Sequence, residues 1–442
     1  MTGAAIRGGL LTFTGDPFVH GVAATRRYES DAVVAMEDGR VTACGAASDV
    51  IPRLPAGTRV TQYANALICP GFIDTHVHYP QLPIIGAGGK PLLDWLSGYT
   101  FAAEERFADA SHARSVARAY LRENLRNGIT SAAVFCTVHA GSVDVLFEEA
   151  AAFDMRLIAG KVLMDRNAPA PLLDTAQRGY DESKALIDRW HGKGRMGYAI
   201  TPRFAVTSSP AQLDAAGALK REHAGVHVQS HISENLAEIA LVRSLFPHAA
   251  SYLDVYARHG LTGPRTIYGH GVHFDEADFA FLHETDTAIA HCPTSNNFLG
   301  SGLFKLGTAT KADRQVRVGL ATDLGGGTSF SILRTMQAAY EVAQLSGMPL
   351  APSCAFYLAT RGAARALDLD DRIGSIAPGM EADLVVLDLR STPLLDFRVD
   401  YANGIDDLLS AQMALGDDRA IRATYVAGRR AYDRDTRDFA SK

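Results

Sequence analysis

Two histidines, His76 and His78, flank a valine at the end of an apolar run, and His231, His270 and Asp323 each end a later run of the same kind. In an extended strand residues i and i+2 face the same side, so the imidazoles of the pair project together. A lone His-x-His is a weak signal, because paired histidines also pack in cores. The whole set is stronger. Four imidazoles and one carboxylate are the donors that a borderline-soft divalent ion, zinc above all, prefers. With one coordination position open, the pKa of a bound water falls to about 7, which makes hydroxide available at neutral pH. Glu234, three residues after His231, has two readings of equal weight: a proton carrier beside that water, or a helix-start glutamate that merely favours the dipole. His139, His273, His283 and His291 lack this context and are read as structural or surface residues.

Elements must bring such distant residues together. Apolar or β-branched runs end near His76, Cys136, Met164, Arg203, His231, His270, His291 and Asp323, about 35 residues apart on average, a spacing suited to repeated βα units. Helical periodicity fills the gaps, as over 111–126 with Val116, Tyr120 and Leu125 apolar. Eight βα units predict an α/β fold, a (β/α)8 TIM-type barrel with its site at the C-terminal strand ends. Arg114, Arg118, Arg122 and Arg126 form a basic stripe on that helix, read as a solvated outer face. Residues 323–327 (DLGGG) lack the Lys-Ser/Thr ending of a phosphate loop and read as a flexible loop after the eighth strand. Both chain ends are β-rich. Residues 31–39 and 40–45 predict strands around an Asp-Gly turn, 382–388 an apolar strand, and 421–432 a hairpin turning at Gly428. The expected organisation is a small β-sandwich domain from both ends, 1–67 and 373–442, around a barrel over 68–372.

Composition excludes several classes. Of 442 residues, 47% are apolar and 21% charged, which is ordinary for a folded protein and not for a disordered one. Lys and Arg number 43 against 49 Asp and Glu, a net charge of −6, so neither nucleic acid nor an anionic membrane is expected as a partner. Five scattered cysteines without a CxxC pair suit a reduced cytoplasm. Neither a secretory signal nor an 18-residue apolar span is visible.

Residues 70–78 (PGFIDTHVH) and 374–388 (GSIAPGMEADLVVLD) resemble the amidohydrolase superfamily of metal-dependent hydrolases, over nearly the whole chain. A narrower likeness, to the guanine deaminase family, rests on 78–81 (HYPQ), 92–101 (LLDWLSGYTF), 160–165 (GKVLMD), 201–204 (TPRF), 229–235 (QSHISEN) and 291–296 (HCPTSN). Gly269 stands where some relatives carry Ala, a difference not expected to disturb the ligand beside it. The resemblance implies hydrolysis of guanine to xanthine and ammonia with one zinc per chain (iron as the alternative) in a homodimer. It implies metal ligation by His76, His78, His231, His270 and Asp323. Substrate binding would fall to His78, Tyr79, Pro80, Gln81, Arg203, Phe204, His231, Glu234 and Asp323, and catalysis to Glu234, Asp323 and His270. Of the five ligands, His270 has the softest role, since it can also hydrogen-bond the attacking hydroxide. An arginine and a glutamine can read the edge of a planar base while a phenylalanine supports its face. Zinc deaminases of another fold carry H-x-E with P-C-x-x-C, and neither motif occurs. The rivals are another aminohydrolase or triazine hydrolase on the same metal site, and a non-catalytic scaffold that has lost it.

Overall fold

The computed structural model describes residues 4–440. Eight apolar stretches, buried along almost their whole length, pair in parallel and in sequence order: Phe72–His78, Ile129–Phe135, Arg156–Gly160, Met196–Pro202, His227–Ile232, Thr266–His270, Ala288–His291 and Val318–Leu320. Strands buried on both faces need helices outside them, as in the expected barrel. One strand end differs from expectation. The third strand stops at Gly160, and the run toward Met164 continues as a separate two-residue strand, Val162–Leu163, paired with the end of the fourth.

The last strand meets the first without a ladder between them; side chains and single backbone bonds close the seam. Thr75 Oγ1 donates to the Leu320 carbonyl (2.9 Å), and the Asp323 N–H donates to the His76 carbonyl (3.0 Å). The Thr322 N–H donates to Asp74 Oδ1 (3.0 Å) and its hydroxyl to the other carboxylate oxygen. Asp74 is buried, and burial pushes its carboxyl up to about 7 against these hydrogen bonds. The seam therefore locks Asp323 beside His76.

The helix Ala110–Arg126 shows how the outer layer follows from sequence. Asp109 caps it by accepting from the Ser111 N–H, and Ala113, Val116, Ala117, Tyr120, Leu121 and Leu125 form the buried stripe, each large apolar side chain worth about 1.5–3 kcal/mol. The arginine stripe faces outward but is not merely solvated. Arg114 and Arg118 pair with Glu148 and Glu149 on the next helix, Ala140–Phe153, and Arg122 and Arg126 lie over the Phe439 ring.

The two chain ends meet where Leu384–Asp388 pairs antiparallel with Arg59–Pro70. From there one eight-stranded sheet extends both ways: through Ala4–Phe13, Arg26–Glu37 and Arg40–Ala46 on one side, and Ile421–Val426, Arg429–Asp433 and Asp438–Phe439 on the other. Register shifts interrupt it, as between Gly8 and Leu10. Val34, Met36 and Val41 near one edge share an apolar cluster with Val386, Ala423 and Tyr425 toward the other, so the sheet bends around a common core like a sandwich. Both predicted turns are there: Asp38-Gly39 and Ala427-Gly428 each hold two successive residues at positive φ, the geometry of a tight hairpin. Two helices the sequence reading did not foresee, Pro393–Val399 and Ile405–Leu415, interrupt the C-terminal strands, and the second buries Leu409 and Met413. No helix among the described residues is long and apolar enough to cross a membrane.

Candidate active site

The strand ends converge as the spacing requires. One donor atom each from His76, His231, His270 and Asp323 lie within 4.8 Å of one another. His76 Nε2 is 3.4 Å from Asp323 Oδ1, and His270 Nε2 is 3.7 Å from Asp323 Oδ2. His78 joins from the side, its Nε2 2.9 Å from His231 Nε2 and 3.6 Å from Asp323 Oδ1. Burial and mutual repulsion hold His78 and His231 well below the usual imidazole range, and burial lowers His76 as well. Burial also opposes charge on His270, but Glu234, Asp323 and Asn296 outweigh it and raise that imidazole. Three of the four imidazoles, His76, His78 and His231, thus favour the neutral, lone-pair-bearing form, and the facing histidines hold Asp323 below its ordinary value despite burial.

Two of the rings are turned by a partner behind them. His231 Nδ1–H donates to the Arg203 carbonyl (2.6 Å), which aims its Nε2 into the cluster. His270 does the same through Asn296 Oδ1 (2.9 Å). His270 and Asp323 both sit at positive φ, 75° and 46°, a conformation uncommon for non-glycine residues, though histidine and aspartate adopt it more readily than most. Gly269 carries more weight than expected. A Cβ there would fall 2.7 Å from His76 Cε1, so in this chain an alanine would force the His76 ring to move.

Glu234 precedes the helix Leu236–Leu245, yet its carboxylate faces the cavity, 3.4 Å from His270 Nε2 and 3.2 Å from the Ser301 hydroxyl. Burial pushes this carboxyl up to about 7, with Asp323 and Glu238 adding to the rise and His270 opposing it. The helix-capping work falls to Glu238, which accepts from the N–H groups of Glu234 (2.8 Å) and Asn235 (3.1 Å) and from the Tyr252 hydroxyl (2.7 Å). His291 ends its strand like His231 and His270, but its ring packs on Phe304 (4.8 Å) and burial pushes it down to about 3.

Above the cluster lies a cavity. Gln81, Arg203 and Phe204 line one part of it, and Leu92, Trp95, Leu96 and Leu299 give it apolar walls. Tyr79 and Pro80, expected in the pocket, are buried but do not line it. The Tyr79 hydroxyl donates to the Ser142 carbonyl (2.7 Å), and its ring packs on Phe107 and Tyr120. They belong to the 3-10 turn Tyr79–Ile84 that carries Gln81 into place. The glycines of 323–327 are packed, not flexible. A Cβ at Gly325, where φ is +115°, would sit 2.2 Å from Gln81 Oε1, and one at Gly327 would sit 1.8 Å from the Thr322 carbonyl. Sequence reading missed Glu104, Glu238, Asn296 and the apolar walls. Of these, Glu238 had a visible signal, the Asn-x-x-Glu capping box; Asn296 and the Leu92–Leu96 stretch lay inside segments that carried the resemblance, with no role attached.

Comparison with known proteins agrees with this geometry. The Amidohydrolase family profile matches residues 67–431. Guanine deaminase of Escherichia coli (strain K12) is 49% identical over 414 residues, 94% of each chain. The solved structure of E. coli guanine deaminase superposes with a TM-score of 0.95 at 47% identity, covering 98% of this chain and 100% of that one. A guanine deaminase from C. acetobutylicum, solved with guanine bound in its active site, gives 0.87 at 28% identity over 97% and 100% of the two chains.

Proposed function

We propose that this chain, which belongs to the amidohydrolase family, hydrolyses guanine to xanthine and ammonia in the pocket above the histidine–aspartate cluster. One observation carries the reading. A convergent set of imidazoles and a carboxylate lies at one end of a cavity whose wall bears Arg203, Gln81 and Phe204. The relatives named guanine deaminase, one solved with guanine bound, support the choice of base.

The donor set fits a divalent ion. Nε2 of His76 and of His270 are buried without a hydrogen-bond partner among the described residues, and both face Asp323. His76, His78, His231, His270 and Asp323 would hold the ion, for which we infer zinc, one per chain, with iron as the alternative. When bound, such an ion supplies hydroxide at neutral pH by acidifying a water molecule.

The chain's own residues do the rest. Arg203 donates to the O6 carbonyl of guanine, Gln81 reads the neighbouring ring edge, and Phe204 supports the ring face. Asp323 takes the proton that the attacking water gives up as its oxygen bonds to C2. Glu234, whose raised carboxyl suits it to hold a proton near neutrality, protonates N3. His270, turned by Asn296 through its Nδ1–H, has only Nε2 left, which would hold the ion in place of donating to the attacking oxygen. The proton on Asp323 then passes to the 2-amino group, the C2–N bond breaks, and ammonia leaves. The hydroxyl proton of the intermediate returns to Glu234, and the 2-oxo product is xanthine. The reading extends to a homodimer, on family resemblance, and to the cytoplasm, which five unpaired cysteines favour. Incubating the purified protein with guanine, adenine, cytosine and ammeline while following ammonia tests the proposal. Release from guanine alone is the expected result, and release from another base with none from guanine overturns it.

A further inference from the structure

Glu104 is 0% exposed, on the short helix Phe101–Glu105 that packs beside the pocket. A carboxylate so deep needs donors, and it has two sets. Arg203 Nη1 reaches both of its oxygens, at 2.9 and 2.7 Å, and Gln81 Nε2 reaches Oε1 at 3.3 Å. The Phe101 ring lies 5.8 Å from the same guanidinium. An ionised carboxylate only accepts, so the amide of Gln81 must turn its NH2 end toward Glu104 and its carbonyl end away. Gln81 and Arg203 both line the cavity.

Resting on the guanine reading above, we infer that Glu104 is a positioning residue that sets the choice of purine. By holding Arg203 and turning Gln81, it makes the pocket present one donor beside one acceptor. The edge of guanine carries the complement, the O6 carbonyl beside N1–H. A 6-aminopurine carries the reverse at both places, an amino donor beside a bare ring nitrogen, and so meets donor against donor and acceptor against acceptor. Sites that read a base this way discriminate by up to about 10⁴-fold. With Glu104→Gln the replacement amide can donate as well as accept, so Gln81 is free to turn over and the pattern is no longer imposed.

The test compares guanine with 2,6-diaminopurine, which has the same 2-amino leaving group and differs only along that edge. Metal-loaded wild type and Glu104→Gln are assayed for kcat and KM on both bases, with metal content and a thermal melt alongside. The expected result is a ratio of kcat/KM, guanine over 2,6-diaminopurine, that narrows at least about tenfold, through a raised KM for guanine, with metal retained. An unchanged ratio, or a parallel fall on both bases, gives Glu104 a merely structural role and overturns the inference. If the Gln variant does not accumulate, Glu104→Asp keeps the charge beside Arg203 but draws the carboxylate back by one methylene. The same ratio must then fall at least about threefold, and an unchanged ratio overturns the inference equally. A wild type without guanine turnover overturns the substrate reading and this inference together, whereas an active wild type with an unaltered variant ratio removes Glu104 alone.

Discussion

Removing the Glu238 side chain separates packing from chemistry at this site. The residue is fully buried and receives three hydrogen bonds, from the Glu234 N–H, the Asn235 N–H and the Tyr252 hydroxyl. Glu238→Ala leaves all three donors in a dry interior without an acceptor. At about 1–3 kcal/mol each, and less than additive, the loss should reach about 3–5 kcal/mol. For a chain of this length that lowers Tm by about 3–5 °C. The same bonds fix the backbone of Glu234, so its carboxylate should drift from its place 3.4 Å from His270 Nε2. A displacement of this order lowers kcat by about 10–100-fold, with metal content unchanged. Glu238→Gln is the matched control. Its carbonyl can accept from both N–H groups, and its amide can meet a reoriented Tyr252 hydroxyl. Burial holds the Glu238 carboxyl above its ordinary 4.5, so the folded protein keeps that proton to higher pH than the unfolded chain does. Wild type should therefore lose stability relative to the Gln variant as pH rises from about 4.5 through the folded value, and the two should converge below it. Paired thermal melts across pH and steady-state kinetics on guanine check both arms. A Glu238→Ala protein with the Tm and kcat of wild type would refute the reasoning.

Other expectations follow from the same geometry. Glu234→Gln keeps the contact with Ser301 but removes the proton carrier, so turnover should fall about 10²–10⁴-fold at unaltered metal content; near-normal turnover would return Glu234 to a helix-start role. Metal analysis should find about one zinc or iron per chain, and chelation should abolish activity; full turnover by a demonstrably metal-free preparation contradicts the assignment. Arg203→Lys keeps a charge against buried Glu104 but gives up the planar fork, so kcat/KM on guanine should drop about 10²-fold with Tm nearly held, as kinetics and a melt would show. Arg203→Ala would also strand the Glu104 carboxylate, at about 3–5 kcal/mol of stability, so a clear fall in Tm should accompany its loss of activity.

Much of this was legible because the barrel writes its chemistry at regular intervals. Each apolar run ends where its strand emerges from the core, so His76, His231, His270 and Asp323 announce themselves by position. His291 also ends a strand, and its structural reading fits the ring turned onto Phe304; the strand-end rule alone would not separate it, because side-chain direction depends on neighbours that a linear reading lacks. Glu104 was illegible for a related reason. Glu104-Glu105 on a short helix looks like an exposed charge pair, and only a partner 99 residues away, Arg203, gives it a buried role. The DLGGG segment misled because glycine serves two ends, freedom in open loops and close approach in packed ones. The helices between the C-terminal strands went unseen because the β signals on either side set the reading for the whole segment.

The hydrogen bond from His231 to the Arg203 carbonyl also constrains how this pocket can diversify. On the proposed reading, one residue addresses the base with its side chain and a ligand imidazole with its backbone. Exchanging the side chain leaves that carbonyl where it is, so new base preferences are reachable by point substitution at 203 without forfeiting the metal. Grafting or resizing the whole end of the fourth strand is another matter. It would move the carbonyl, free the His231 ring, and lose the ion before any new substrate could be tried. Retargeting by single residues is open to this scaffold, and retargeting by loop exchange at that strand is closed.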